Sequence, residues 1–481
     1  PPRRSGKKGG LSVGTIILVL VLYFVVTNLF GGDDTGAGQE SPVMSTYQEP
    51  NSSPGSGHSS SHTTYNDASD DSADMTVSTD AREKFTTLLG NGRDTVTLMM
   101  YLCGTDLESK YGMATSDLVE MTKADLNENV NIIVCTGGCS KWNNQFVSNS
   151  VNQIYRVKKG GMEMLVENFS TGSMTNEQNL ANFIQWSAKN YPASRYDLIL
   201  WDHGGGTLSG YGYDEKYASS SSMSIDRVAK GLAQGGVKFD FVGFDACLMA
   251  TLETALAVEP YADYLIASEE TEPGYGWYYT GWLSTLSHNT STDTVTIGKE
   301  ICDSFISDNA KKSNSNSGMT LSVTDLAELS GTAPEVFMAF SDSISNAVSS
   351  GSYQMIADAR KRAKEYATSQ RIDQIDLLTF CDDINTSESN ALSSVLAKCV
   401  KYNHVTPDMR GSQGLSIYFP WRKNAYINTV LTTYNNIGID SINRYGKAVR
   451  QFGSLQLGGQ VSSGGSSDIW GQLFGDSSSS G

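Results

Sequence analysis

The sequence lacks the residue spacings with which proteins commonly bind zinc. Its seven cysteines are spread from Cys103 to Cys399 without a CxxC pair, and there are only five histidines. An acidic run between Asp67 and Asp74 lacks the glycine and the glutamate of a calcium-binding loop. We therefore expect no metal site and no required cofactor; calcium stays possible but has no support in the sequence.

Positive charge is also scarce. The chain has 35 Lys and Arg against 52 Asp and Glu, a formal net charge of −17. This balance argues against nucleic acid, or an anionic membrane surface, as a partner. It fits an exported protein, or one whose substrates are basic. The composition does not predict an oligomeric state.

Residues 1–30 have the pattern of an uncleaved signal anchor. A basic segment at 1–10 precedes an apolar run at 11–30, which as a helix would span roughly 30 Å, the thickness of a bilayer core. A cleaved signal peptide would have a shorter apolar region, and a small-x-small cleavage site does not follow Phe30. The pattern predicts a single-pass cell-membrane protein with residues 1–10 in the cytoplasm and the rest outside the cell.

Two segments have too few apolar residues to form a core. Residues 31–80 are dominated by Gly, Ser, Thr, Asp and Asn, which predicts a disordered stalk, and 454–481 read as a disordered tail. Between them, residues 81–453 alternate short apolar runs with amphipathic stretches. This alternation predicts an α/β domain with a mostly parallel central sheet and helices on both faces. The runs that predict strands are Val96–Leu102, Val130–Val134, Tyr196–Leu200, Phe239–Phe244, Tyr264–Ala267 and Met319–Val323.

Two of these strands are followed directly by a reactive side chain. His203 follows Trp201-Asp202 and precedes three glycines, while Cys247 lies at a predicted strand-to-helix turn. Because carboxyl ends of parallel strands share one edge of a sheet, the pair could supply a thiolate nucleophile and its acid–base partner. We expect a helix from Leu248 to lower the pKa of the Cys247 thiol. The N–H groups of Gly204 and Cys247 are the predicted oxyanion donors.

The residues around this pair resemble the signatures of clostripain-family cysteine peptidases, relatives of caspases, gingipains and legumain. The resemblance spans roughly residues 95 to 421. It implies a caspase-like α/β/α sandwich and a Cys–His dyad without an obligatory third acid. The matching segments are Asp-His-Gly-Gly-Gly at 202–206, Asp-Ala-Cys-Leu-Met at 245–249, Tyr101-Leu102, Asp106-Leu107-Glu108, Ser268-Glu269-Glu270, Pro273-Gly274-Tyr275-Gly276-Trp277 and Gly-Leu-Ser-Ile-Tyr-Phe-Pro at 414–420.

The resemblance also implies cleavage after Arg or Lys. Asp245 would line the pocket for the substrate cation, although its type and place also suit a helix N-cap. Tyr275 stands where a second pocket acid is expected, and Glu269, Glu270 and Glu272 are the alternatives. Family members tend to cut themselves in a loop that follows the catalytic histidine in the sequence. Here the predicted cleavage site is Lys216, which precedes Ala218 and four serines.

These features together predict a membrane-anchored, extracellular cysteine endopeptidase that acts on proteins or peptides. Two other functions remain open on the sequence. One is a transpeptidase that uses the same His203 and Cys247, and the other is a non-catalytic surface binding protein on a peptidase-like scaffold.

Overall fold

The computed structural model describes residues 72–217 and 219–461. The predicted anchor at 11–30, most of the stalk and the end of the tail lie outside the described residues. Within the described residues, no helix combines the length and the apolar character needed to cross a membrane.

A central sheet carries the fold. Five strands in the order β2-β1-β5-β6-β7 run parallel, two antiparallel strands, β3 and β4, extend one edge, and β8 and β11 extend the other. The strands are β1 Val96–Cys103, β2 Val130–Gly137, β3 Asn152–Lys158, β4 Gly161–Ser170, β5 Arg195–Trp201, β6 Phe239–Asp245, β7 Ala262–Ala267, β8 Thr320–Asp325 and β11 Val400–Val405. The predicted α/β class with a mostly parallel sheet is confirmed.

Helices cover both faces of this sheet. Every residue of β1 and of β2 is buried, and because alternate residues point to opposite faces, neither face is open to solvent there. The helices are α1 Thr105–Tyr111, α2 Met113–Lys123, α3 Glu177–Asn190, α4 Gly206–Ser209, α5 Ile225–Gly235, α6 Leu252–Val258, α7 Tyr279–His288, α8 Thr294–Ser313, α9 Leu326–Ser349, α10 Gln354–Arg362, α11 Leu377–Ile384, α12 Ser387–Cys399, α13 Ile427–Ile437 and α14 Asp440–Leu457.

A second, three-stranded antiparallel sheet lies beside the first in the order β12-β10-β9. Its strands are β9 Glu365–Tyr366, β10 Gln374–Asp376 and β12 Ser416–Tyr418. The family-matching segment at 414–420 therefore contributes only a three-residue strand, β12, and does not join the main sheet. A bridge between Thr251 and Ser416 connects the small sheet to the chain just after Cys247.

Two local predictions differ from the structure. The helix expected from Leu248 begins at Leu252, with the Thr251 hydroxyl accepting the Thr254 N–H as its N-cap. Helix α14 continues to Leu457, four residues into the segment predicted to be a disordered tail.

Candidate active site

The sheet brings His203 and Cys247 to the same edge. Strands β5 and β6 are parallel neighbours, and Trp201 pairs with Asp245, so each reactive residue lies two positions beyond a paired residue. The two segments are in direct contact, since a Cβ atom added to Gly204 would lie 1.9 Å from the Cys247 carbonyl oxygen. Only a glycine allows this approach. Both reactive side chains line one cleft.

The Cys247 thiol is enclosed by a loop that follows β7. Cys247 is 5 % exposed, and its Sγ accepts a hydrogen bond from the Glu272 N–H at 3.1 Å. Burial, together with the negative charge of Glu272, raises the thiol pKa to about 12. The expected lowering of this pKa by a helix N-terminus is wrong, because α6 begins five residues after Cys247. The Cys247 thiol is therefore neutral at neutral pH.

The turn that presents Cys247 has a strained backbone. Leu248 has φ 69°, a left-handed conformation that non-glycine residues rarely adopt. The Gln374 side chain, from β10 of the small sheet, donates to the Leu248 carbonyl at 3.0 Å and to the Ser416 hydroxyl at 2.9 Å. The small sheet therefore holds the turn in its unusual conformation. This contact was not predicted.

His203 is buried between two carboxylates. Its ring Nε2 lies 2.9 Å from Asp106 Oδ1, and its main-chain N–H donates to Asp202 Oδ1 at 2.6 Å. Burial alone would lower the pKa of His203, but the hydrogen bond and charge of Asp106 outweigh it and raise the pKa. Asp106 was noted in the sequence only as part of a matching segment. Its contact with a residue 97 positions later has no signal in local spacing.

The predicted oxyanion donors remain available. Among the described residues, neither the Gly204 N–H nor the Cys247 N–H donates to another main-chain oxygen. The Gly205 and Gly212 N–H groups, by contrast, bond to Gly210 and His203 carbonyls and fix the loop around the histidine.

Asp245 lines the cleft and does not cap a helix. Its Oδ2 accepts hydrogen bonds from the Tyr279 hydroxyl at 2.7 Å and the Trp277 N–H at 3.2 Å. A Cβ at Gly276 would lie 2.7 Å from Asp245 Oδ1, so the glycine gives access to this carboxylate. Burial raises its pKa to about 6. The N-cap alternative is wrong, since Thr251 caps the following helix.

Of the three alternative acids, Glu272 is the one that lines the cleft. Glu272 is 6 % exposed, and its carboxyl group lies beside that of Asp245. Burial and the charge of Asp245 raise its pKa well above the usual range. Glu269 instead accepts the Gly414 N–H at 2.9 Å, and Glu270 accepts the Ala367 N–H at 3.0 Å.

A further acidic residue, Asp117 on α2, lies behind the cleft and was not predicted. It accepts a hydrogen bond from the Trp201 indole N–H at 2.7 Å. Burial and the charge of Asp245 raise the Asp117 pKa well above its ordinary value. The group of acidic residues therefore extends beyond those that line the cleft.

Lys216 does not line the cleft. It lies half-buried in a one-turn 3₁₀-helix, Glu215–Tyr217, where its main-chain N–H donates to Asp214 Oδ1 at 2.9 Å. Residue 218 is not among the described residues. Within the part of the chain that the structure describes, no three His, Cys, Asp or Glu side chains are grouped as metal ligands.

This chain is similar to known proteins in both sequence and fold. The model of the clostripain family, a family of C11 peptidases, matches residues 100–452. The curated clostripain of Hathewaya histolytica is 29 % identical over 145 residues, which are 26 % of this chain. The match spans 28 % of that protein's length.

Solved structures have the same fold. A secreted C11 cysteine protease from Bacteroides thetaiotaomicron, iotapain, has a TM-score of 0.51 at 18 % identity, over 68 % of this chain and 93 % of its own. An inactive zymogen C11 protease from Parabacteroides distasonis has a TM-score of 0.50 at 20 % identity, over 73 % and 98 %. At these identities the likeness concerns the fold alone.

Proposed function

Because this chain belongs to the clostripain family of cysteine peptidases, we propose that it is a cysteine endopeptidase in which Cys247 is the nucleophile and His203 the acid–base residue. The observation that carries the proposal is the meeting of His203 and Cys247 at adjacent strand ends, in a cleft that both side chains line. Neither residue is needed by a binding scaffold.

The geometry suggests the order of proton transfers. The resting thiol is protonated, so His203 takes its proton as Sγ attacks the scissile carbonyl carbon and forms a tetrahedral adduct. The imidazolium then protonates the leaving amine, and the C–N bond breaks to leave an acyl-enzyme. His203 next removes a proton from water, and hydrolysis restores the thiol.

The Gly204 and Cys247 N–H groups are the proposed oxyanion donors. These two N–H groups belong to the two segments that are in contact at Gly204. They therefore lie close to where negative charge would develop on the carbonyl oxygen of the tetrahedral adduct. The loop at Glu272 must move or make room for the substrate, since it now donates a hydrogen bond to the attacking sulfur.

We propose that the cleft selects Arg or Lys before the cleaved bond. Asp245 and Glu272 line it together, and both carboxyl groups are buried beside each other. Burial and the charge of Asp245 raise the pKa of Glu272, and a substrate cation would favour the ionised form of both acids. Glu272 thus replaces the acid that is expected at Tyr275.

The test is turnover of fluorogenic peptides that end in Arg, Lys, Gln or Ala. We expect the full chain to hydrolyse the Arg and Lys peptides and Cys247→Ala to be inactive. The control is Cys381→Ala, which removes another fully buried thiol. Equal activity of the two variants would contradict the nucleophile. Turnover only in the presence of an added amine acceptor would favour a transpeptidase.

We also propose that the chain cuts itself after Lys216. Since Lys216 does not line its own cleft, the cut should occur between two chains and accelerate with protein concentration. We expect a new N-terminus at residue 217, absent from both Cys247→Ala and Lys216→Gln. A chain that turns over peptides fully while residues 216 and 217 stay joined would overturn this proposal.

The last element of the proposal is anchorage. The basic segment at 1–10 and the apolar run at 11–30 support a single-pass anchor with the peptidase outside the cell. We expect the full chain in the membrane fraction and accessible to protease added to intact cells, and a chain without residues 1–30 in the soluble fraction. Recovery of the uncut full chain in the soluble fraction would contradict the proposed membrane anchor.

A further inference from the structure

We propose that Asp106 is a positioning residue that holds a proton on Nε2 of His203, so that Nδ1 is the nitrogen that exchanges a proton with Cys247. The inference rests on the proposed peptidase function and adds a third residue to its dyad.

The contact is short and shielded from water. Asp106 Oδ1 lies 2.9 Å from His203 Nε2, and the two side chains are 5 % and 4 % exposed. The Nδ1 atom of His203 makes no hydrogen bond within the described residues and is the ring nitrogen left for the cleft. Since a carboxylate only accepts, the neutral ring must carry its proton on Nε2.

The backbone that presents Asp106 is itself strained. Thr105, the residue before it, has φ 46°, which is rare for a β-branched residue. Such conformations persist where the surrounding structure demands them, often at functional sites. Here the strain lies directly beside the carboxylate that reaches the histidine.

Asp106 remains ionised in this position. Its burial opposes ionisation, but the hydrogen bond to His203, the charge of His203 and that of Lys110 together lower its pKa. Lys110 Nζ lies 3.2 Å from Asp106 Oδ2. The second carboxylate beside the histidine, Asp202, is occupied by the main chain, since it accepts the His203 and Tyr213 N–H groups at 2.6 Å and 2.7 Å.

Asp106 would affect catalysis by favouring the imidazolium, the charged form of His203. When His203 takes the thiol proton, its positive charge forms beside Asp106, which favours that charged state. The charged groups that act on the ring are Asp106, Asp202 and Lys110, with the Cys247 thiol across the cleft. Loss of Asp106 removes the largest of the influences that keep the ring basic.

The first test is the imidazole NMR spectrum of the full chain in the Cys247→Ala background, which does not depend on peptidase activity. His203 is assigned by its loss in His203→Gln. We expect a proton on Nε2 at high pH, and in Asp106→Asn a His203 pKa lower by roughly 1 to 3 units. A neutral tautomer protonated on Nδ1 in the Asp106 protein would overturn the inference, whether or not Asp106→Asn folds.

The second test is the pH profile of kcat/KM for an Arg peptide. We expect Asp106→Asn to lose roughly 100-fold or more, and its acid limb to move to lower pH because the ring becomes the neutral base at a lower pH. The control is Glu108→Gln, which changes a buried carboxylate on the same helix that contacts Thr115 and Asn143 instead. A purely structural role would lower activity in both variants and leave both limbs unmoved. Wild-type inactivity with the expected NMR result would reject the peptidase function and keep the positioning role.

Discussion

The acidic side chains that line the cleft differ in their contacts, and this difference indicates how each would respond to a substrate cation. Asp245 is held by Tyr279 and Trp277, whereas the Glu272 carboxyl group is buried beside Asp245, which raises the Glu272 pKa well above its usual range. A buried acid beside a second acid is stabilised in its charged form by a cationic ligand. We therefore expect Glu272 to be the side chain most directly affected by a substrate cation.

Substitution of Glu272 should change specificity more than turnover. In Glu272→Gln we expect kcat/KM for Arg peptides to fall by the equivalent of roughly 2 to 5 kcal/mol, because one charge of a buried pair is lost. The uncharged Gln and Ala peptides should be affected little. The measurement is the ratio of kcat/KM for Arg over Gln peptides. Glu270→Gln is the control, since Glu270 binds the main chain outside the cleft. An unchanged ratio of kcat/KM for Arg over Gln peptides in Glu272→Gln would show that Glu272 does not recognise the substrate cation.

The raised pKa of Asp245 predicts an acid limb that depends on the substrate. Its pKa is raised to about 6 by burial, so the carboxyl is neutral below that pH and charged above it. The preference for Arg over Gln peptides should thus weaken as the pH falls through about 6. A ratio that stays constant between about pH 5 and pH 8 would contradict the role of Asp245, whose ordinary pKa is about 3.9.

Between elements, the small sheet supports the catalytic turn. Gln374 on β10 bonds to the carbonyl oxygens of Leu248 and Glu269, one on the Cys247 turn and the other on the covering loop. Gln370, four residues earlier in the sequence, is 2 % exposed. Within the described residues, both polar atoms of the Gln370 side chain lack hydrogen-bond partners. These two glutamines form a matched pair for mutation.

Gln374→Met should lower both stability and activity. It removes the hydrogen bonds to two buried carbonyl groups, and we expect a loss of roughly 1 to 3 kcal/mol in the free energy of unfolding. The activity of the folded protein should fall as well, because the strained Leu248 turn loses its support. Gln370→Met should be neutral or stabilising, since no bond is lost. Urea unfolding and kcat at saturating substrate measure the two effects. Equal behaviour of the two variants would contradict a supporting role for Gln374.

Part of this architecture could be predicted from the sequence because its signals are local. Apolar runs mark the buried strands around β5 and β6, and the residues after each run mark the sheet edge where ligands bind. Asp106, Asp117 and Gln374 could not be placed, since each reaches the site across a long sequence separation. The start of α6 was also missed, because Leu248 to Ala250 are apolar in a turn that tertiary contacts hold.

Over the whole molecule, the N-terminal described residues belong to the folded domain. The Asp74 N–H donates to the Lys401 carbonyl at 2.8 Å, and the buried Lys401 ammonium donates to the Thr76 carbonyl at 2.7 Å. Arg82 then pairs with Glu259 and Asp263 at 2.6 Å and 2.8 Å. The packed domain therefore begins before Ala81, inside the segment predicted as stalk.

The identity of the nucleophile is tested most directly by covalent labelling of the full chain. A peptidyl chloromethyl ketone ending in Arg should place one label on Cys247, mapped by mass spectrometry, and leave the other six cysteines unlabelled because they are buried away from the cleft. His203→Gln should slow the labelling, and the same reagent ending in Gln should react far more slowly. A label on any other cysteine, or no label on a folded chain, would contradict the account of the site.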